Sequence, residues 1–103
     1  MTNKLVRDGK VAVLYSPGFG AGWSTWNDYG DEVIFDPVLA TLVLDGKMDE
    51  AQTYVTIRWP DAYASGVEDL SVAWITQGKA FRIHEYDGSE SIEVQEEMNW
   101  VIA

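Results

Sequence analysis

The twelve residues Tyr15-Ser16-Pro17-Gly18-Phe19-Gly20-Ala21-Gly22-Trp23-Ser24-Thr25-Trp26 limit the folds open to this chain more than any other stretch. Three glycines at alternate positions follow a run of strand formers. Glycine reaches positive φ without strain and lets a backbone approach another group closely, so the stretch predicts a shaped loop rather than a spacer. Phe19, Trp23 and Trp26 give that loop flat apolar surface, while Ser16, Ser24 and Thr25 supply donors and acceptors. Two compatible roles follow. At least one tryptophan fills the core of a small domain, and part of the loop faces a ligand.

The strand that feeds the loop is Val11-Ala12-Val13-Leu14-Tyr15, continuously apolar and therefore expected to be buried on both faces. Residues 3–6 precede it across Arg7-Asp8-Gly9, and Asp-Gly between two apolar runs predicts a hairpin. A short apolar run, Val33-Ile34-Phe35, follows the loop. Asp36-Pro37 then marks a helix start, with Leu39, Leu42 and Val43 at helical spacing and Gly46 as its stop. A second helix is expected from about Asp49 to the residues before Trp59-Pro60, although Thr53, Val55, Thr56 and Ile57 are β-branched. Residues 61–69 form a loop around Ser65-Gly66.

The last third predicts antiparallel strands at 70–76, 80–86 and from Ile92, turning at Gln77-Gly78-Lys79 and Asp87-Gly88, with a final short strand at 99–102. A chain of 103 residues, 47% hydrophobic, holds one core. The expectation is a single α+β domain over residues 1–103, a small antiparallel sheet of four to six strands packed against two helices.

Alternation on the strand ending at Tyr86 sends Phe81 and Ile83 to the core and Arg82, His84 and Tyr86 to the other face. That face joins a bidentate anion binder, the only histidine and an aromatic ring. No dinucleotide fingerprint or P-loop is present. A glycine-rich turn can nonetheless aim N–H groups at a phosphate, and aromatic faces stack on bases. Catalysis is weakly encoded. Ser24 lacks a Gly-x-Ser-x-Gly setting, His84 and Glu85 point to opposite faces, and the chain has no cysteine. No catalytic residue, metal site or cofactor is therefore expected.

The net charge of −10 repels nucleic acid and anionic membranes unless local cations overcome it. Glu85, Asp87, Glu90, Glu93, Glu96 and Glu97 form an acidic segment with no Lys or Arg inside it. It forms either an ordinary charged sheet edge or an anionic ridge that imitates a nucleic-acid backbone. The first eight residues contain no apolar core of signal-peptide length, and no run is long enough to cross a bilayer. The expectation is a soluble cytoplasmic protein.

The loop at residues 15–26, with Phe35-Asp36-Pro37, Trp59-Pro60-Asp61-Ala62-Tyr63 and residues 81–90 in the same order, resembles a family of short proteins encoded by tailed bacteriophages and prophages. The resemblance covers nearly the whole chain, and the glycine–tryptophan loop is its most specific part. It implies a counter-defence protein acting in the cytoplasm of the infected bacterial cell. The first such role is a non-enzymatic, homo-oligomeric sponge of the anti-CBASS type that sequesters a cyclic di- or trinucleotide immune signal. In that role Trp23 and Trp26 stack on bases. Gly18, Phe19, Gly20, Ala21 and Gly22 offer backbone, Ser24 and Thr25 contact phosphate or ribose, and Arg82 supplies charge, with His84 and Tyr86 behind it. The alternatives are an acidic nucleic-acid mimic that inhibits a host defence protein such as a CRISPR effector, and a small hydrolase. A sponge requires some of the seven basic residues to lie near the loop, whereas a loop packed wholly inside the core favours the mimic.

Overall fold

The computed structural model describes residues 4–18, 22–27, 29–62 and 67–94. Five strands are present: β1 (Val6–Arg7), β2 (Lys10–Tyr15), β3 (Ser71–Thr76), β4 (Phe81–Tyr86) and β5 (Ser89–Val94). The helices are α1 (Glu32–Phe35), α2 (Pro37–Leu44) and α3 (Met48–Arg58), and single 3-10 turns stand at Ser24–Trp26 and Val67–Asp69. This is the expected α+β class. The apolar run Val33-Ile34-Phe35 supplies a third, one-turn helix, all three residues buried. The expected final strand at 99–102 lies outside the described residues.

Both Asp-Gly pairs form the turns their chemistry calls for. Asp8 and Gly9 have φ of 53° and 76°, and Asp87 and Gly88 have 51° and 85°. Two successive positive φ values define the type I′ hairpin turn, whose twist matches that of the flanking strands. β2 lies in the middle of the sheet β1-β2-β3, and its residues Val11 to Leu14 are buried as their unbroken apolar run requires. β3 pairs antiparallel along all of β2, from Lys10↔Thr76 to Tyr15↔Ser71. The strands are thus divided between two sheets, because β3 turns back onto β2 while β4 pairs only with β5. As the central strand, β2 has hydrogen-bonding neighbours on both edges, β1 and β3.

α2 begins and ends where its terminal residues dictate. The Asp36 carboxylate caps it by accepting from the Leu39 N–H at 2.9 Å, and Pro37 occupies the first turn. At the other end Gly46, with φ of 72°, lets the Lys47 N–H donate back to the Leu42 carbonyl at 2.9 Å. α3 is a helix despite its β-branched residues. Their side chains at Thr53, Thr56 and Ile57 are exposed, while Ala51 and Val55, one turn apart, pack inward.

The core has an aromatic centre. The rings of Trp23 and Tyr54 meet Trp59 edge-on, with centroids 5.9 and 6.1 Å away. The Tyr54 hydroxyl also donates to the Asp36 carboxylate at 2.9 Å, tying α3 to the cap of α2. Burial, then the hydrogen bond to Asp36, push the Tyr54 hydroxyl up to about 12 from its ordinary 10.0. The folded state therefore favours neutral Tyr54. Its contribution is intact below pH 10 and is lost as pH rises towards 12. Urea unfolding between pH 9 and 12 should show stability falling across that window, and Tyr54→Phe should flatten the fall. An equally steep fall in the variant would exclude Tyr54 as its source.

Candidate functional site

The loop after β2 closes around a carboxylate from the opposite end of the chain. Glu90 is 1% exposed. Its Oε1 accepts from the Ser16 N–H at 2.9 Å. Its Oε2 accepts from the Trp23 and Thr25 N–H groups, both at 3.0 Å, and from the Thr25 hydroxyl at 2.6 Å. The main chains join as well, the Glu90 N–H donating to the Ser16 carbonyl at 2.7 Å. Converging backbone N–H groups form an anion-binding concavity. Here the anion is internal, so these three amides and the Thr25 hydroxyl are committed to Glu90.

Glu90 therefore does not belong to an acidic ridge. Alternation along β5 puts it on the side of Ile92 and Val94, which pack against the core, and that parity was the sequence signal for its burial. Other acids of the segment are also engaged. Glu85 accepts from the Gly88 N–H at 2.8 Å, and Glu93 meets His84 Nε2 at 2.8 Å. Glu96 and Glu97 lie outside the described residues.

Beside the Glu90 anchor an open cleft of about 760 Å³ separates the loop and α1 from the start of β4. Ser24, Thr25, Asn27 and Asp31 line it together with Lys79 and Arg82. Apolar lining comes from Ile34, Phe35, Phe81 and Ile83, with the two phenylalanine rings edge to face at 6.1 Å. The volume lies within the range of ligand pockets, roughly 300–1,000 Å³. Lys79 and Arg82 are exposed, and among the described residues neither forms an ion pair. Other cations sit against rings: Lys4 over Phe35, Arg7 over Trp74, and Arg58 over Trp59 and 2.8 Å from Glu32.

The expected site residues separate into groups. Ser24, Thr25 and Arg82 come together in the cleft. Trp23 does not face a ligand. It is fully buried, and its indole N–H donates to the Val33 carbonyl at 2.8 Å, which makes it a core residue. Gly22 is buried beside it. At Gly18 a Cβ would fall 2.6 Å from an Asp69 carboxylate oxygen, so a larger residue there requires the exposed Asp69 side chain to move aside. Arg82, His84 and Tyr86 are exposed as alternation predicts, while Phe81 and Ile83 pack against the core. His84 is paired with Glu93, and Tyr86 lies beyond it near the hairpin turn. Phe19, Gly20, Ala21 and the side chain of Trp26 fall outside the described residues. Lys79, Asp31, Phe35 and Phe81 were not singled out from sequence, because only the docking of the β4–β5 hairpin brings them to the loop.

Among the described residues no group of three or more His, Asp or Glu side chains is arranged to hold a metal, and no helix is long and apolar enough to cross a membrane. No family model, curated protein or solved structure matches the chain, so the site is read from its own residues.

Removing the carboxylate should unlatch the loop. Hydrogen bonds to a charged group contribute about 1.5–3 kcal/mol each, and their donors become unsatisfied when the partner is lost. Glu90→Ala should therefore cost at least about 3 kcal/mol in urea unfolding. Glu93→Ala, on the exposed face of the same strand, should cost less than about 1 kcal/mol. Equal losses in the two variants would show that the latch contributes nothing particular.

Proposed function

We propose that the chain is a non-enzymatic binding protein that sequesters a cyclic di- or trinucleotide, as the resemblance to phage counter-defence proteins implies. The observation that carries this reading is the placement of Lys79 and Arg82 in the same cleft as Ser24 and Thr25, without a carboxylate paired to either among the described residues. Two cations with no ion-pair partner among the described residues support a locally positive site on a chain of net charge −10. Arg82 offers a planar fork to a phosphate and Lys79 a mobile point charge. Ser24 and Asn27 add polar contacts, and Phe35 and Phe81 supply the apolar surface that was assigned to the tryptophans. Sequestration needs tight, pre-organised contacts and no chemical step. Because the cleft is open, a second protomer closing over it would complete ligand burial, which is the role of the proposed homo-oligomer.

The mimic reading has less support. Glu90 is internal, and Glu85 and Glu93 have partners within their own hairpin, so the acidic segment presents fewer uncommitted charges than its composition suggests.

Calorimetric titration with a panel of cyclic di- and trinucleotides should give submicromolar binding, and denaturation should release the nucleotide chemically unchanged. Loss of a charge-assisted contact in Arg82→Ala should weaken binding roughly 10- to 100-fold at unchanged thermal stability. Absence of binding across the panel would remove the reading, and cleavage of the nucleotide would replace it with an enzymatic one.

A further inference from the structure

Among the described residues, Asp31 is the acidic residue in the lining of a cleft otherwise suited to an anion. It precedes the first turn of α1, yet its side chain makes no capping hydrogen bond, and among the described residues it joins no ion pair. Its backbone carbonyl holds the turn by accepting from the Ile34 and Phe35 N–H groups at 3.2 and 3.3 Å. The exposed carboxylate is thus left to the cleft. Beside two cations it opposes a phosphate, unless the ligand also brings a neutral pair of donors to it.

Building on the proposed nucleotide-binding role, we infer that Asp31 reads the base and that the cleft selects guanine. Guanine presents adjacent N1–H and N2–H donors on its Watson–Crick edge, and a carboxylate accepts both in parallel. Adenine presents one donor beside the N1 lone pair. Cytosine presents one donor beside the N3 lone pair. Uracil presents a single N3–H between two carbonyl oxygens. Each of these sets a lone pair against a carboxylate oxygen, so guanine alone matches. Lys79 and Arg82 meet the phosphates, while Asp31, just before α1, meets the base. The ligand class is a cyclic oligonucleotide containing at least one guanine.

The test uses 3′,3′-cyclic di-GMP and 3′,3′-cyclic di-AMP as probes, titrated into the full chain and into Asp31→Asn, with circular dichroism to confirm an unchanged fold. A bidentate base contact discriminates by about 1–3 kcal/mol, so the wild type should bind the guanine probe roughly 10- to 100-fold more tightly. Asparagine carries one acceptor and one donor, which match the adenine edge, so Asp31→Asn should shift the preference towards cyclic di-AMP. A merely structural role for Asp31 would weaken both probes alike. Equal binding of the two probes by the wild type, or a preference unmoved by Asp31→Asn, overturns guanine selection and leaves nucleotide binding standing. Failure of both probes and of the wider panel to bind overturns the binding reading together with it.

Discussion

The structure depends on one buried negative charge and the donors that surround it. A carboxylate removed from water costs several kcal/mol unless its lone pairs are met, and no cation is paired with Glu90 among the described residues. Four donors substitute for the lost hydration: three backbone N–H groups and one hydroxyl. They come from Ser16, Trp23 and Thr25, which a regular strand or helix would hold too far apart to reach one carboxyl group. The chain between Ser16 and Thr25 must therefore return on itself to bring them to one carboxyl group, and at Gly18 a Cβ would meet an Asp69 carboxylate oxygen at 2.6 Å.

The same interaction builds the cleft. β4 and β5 form a two-stranded hairpin outside the main sheet, and such a hairpin is marginal unless it packs on something. Glu90 docks it through both side chain and main chain, and the Ser89 hydroxyl adds a bond to the Pro17 carbonyl at 2.7 Å. Docking brings the start of β4 to the 3-10 turn and α1, so Arg82 and Lys79 line one cleft with Ser24 and Asn27. The Thr25 hydroxyl lies at the junction, bonded to Glu90 while its residue lines the cleft. Stability and site geometry are therefore coupled through a single side chain.

Much of the scaffold was legible because it rests on local chemistry. Asp8-Gly9 and Asp87-Gly88 specify their turns through the φ values they tolerate, Asp36-Pro37 specifies a helix start, and Gly46 its stop. The division into two sheets was not legible, since it depends on whether β3 pairs with β2 or with β4, and both are strands of suitable pattern. The site was half legible. Arg82 could be placed on its face by alternation, but the partners of that face come from the Glu90 contact. Trp23 and Trp26 look alike in sequence, and only the hydrogen bond of Trp23 to Val33 and its packing on Trp59 identify it as core. Glu90 was hidden by its neighbours. Among six acids in thirteen residues it reads as one more surface charge, although its parity with Ile92 and Val94 sets it apart.

Net charge and local charge act over different distances, which is how an acidic chain can present a site for an anion. The repulsion from seventeen acidic residues is a sum over the surface, and physiological salt screens it over about 8 Å. An anion held directly against Arg82 or Lys79 would lie within that length and lose less to screening. Several acids nearest the site are engaged in internal bonds: Glu90 with the loop, Glu93 with His84, and Glu32 with Arg58 and the Trp59 indole N–H. Each of these acids thus has a partner of its own, and among the described residues Asp31 is the acid in the cleft lining. Folding thus sorts a strongly negative composition into a buried anchor, paired surface charges and one small region where the uncommitted groups are mainly cationic.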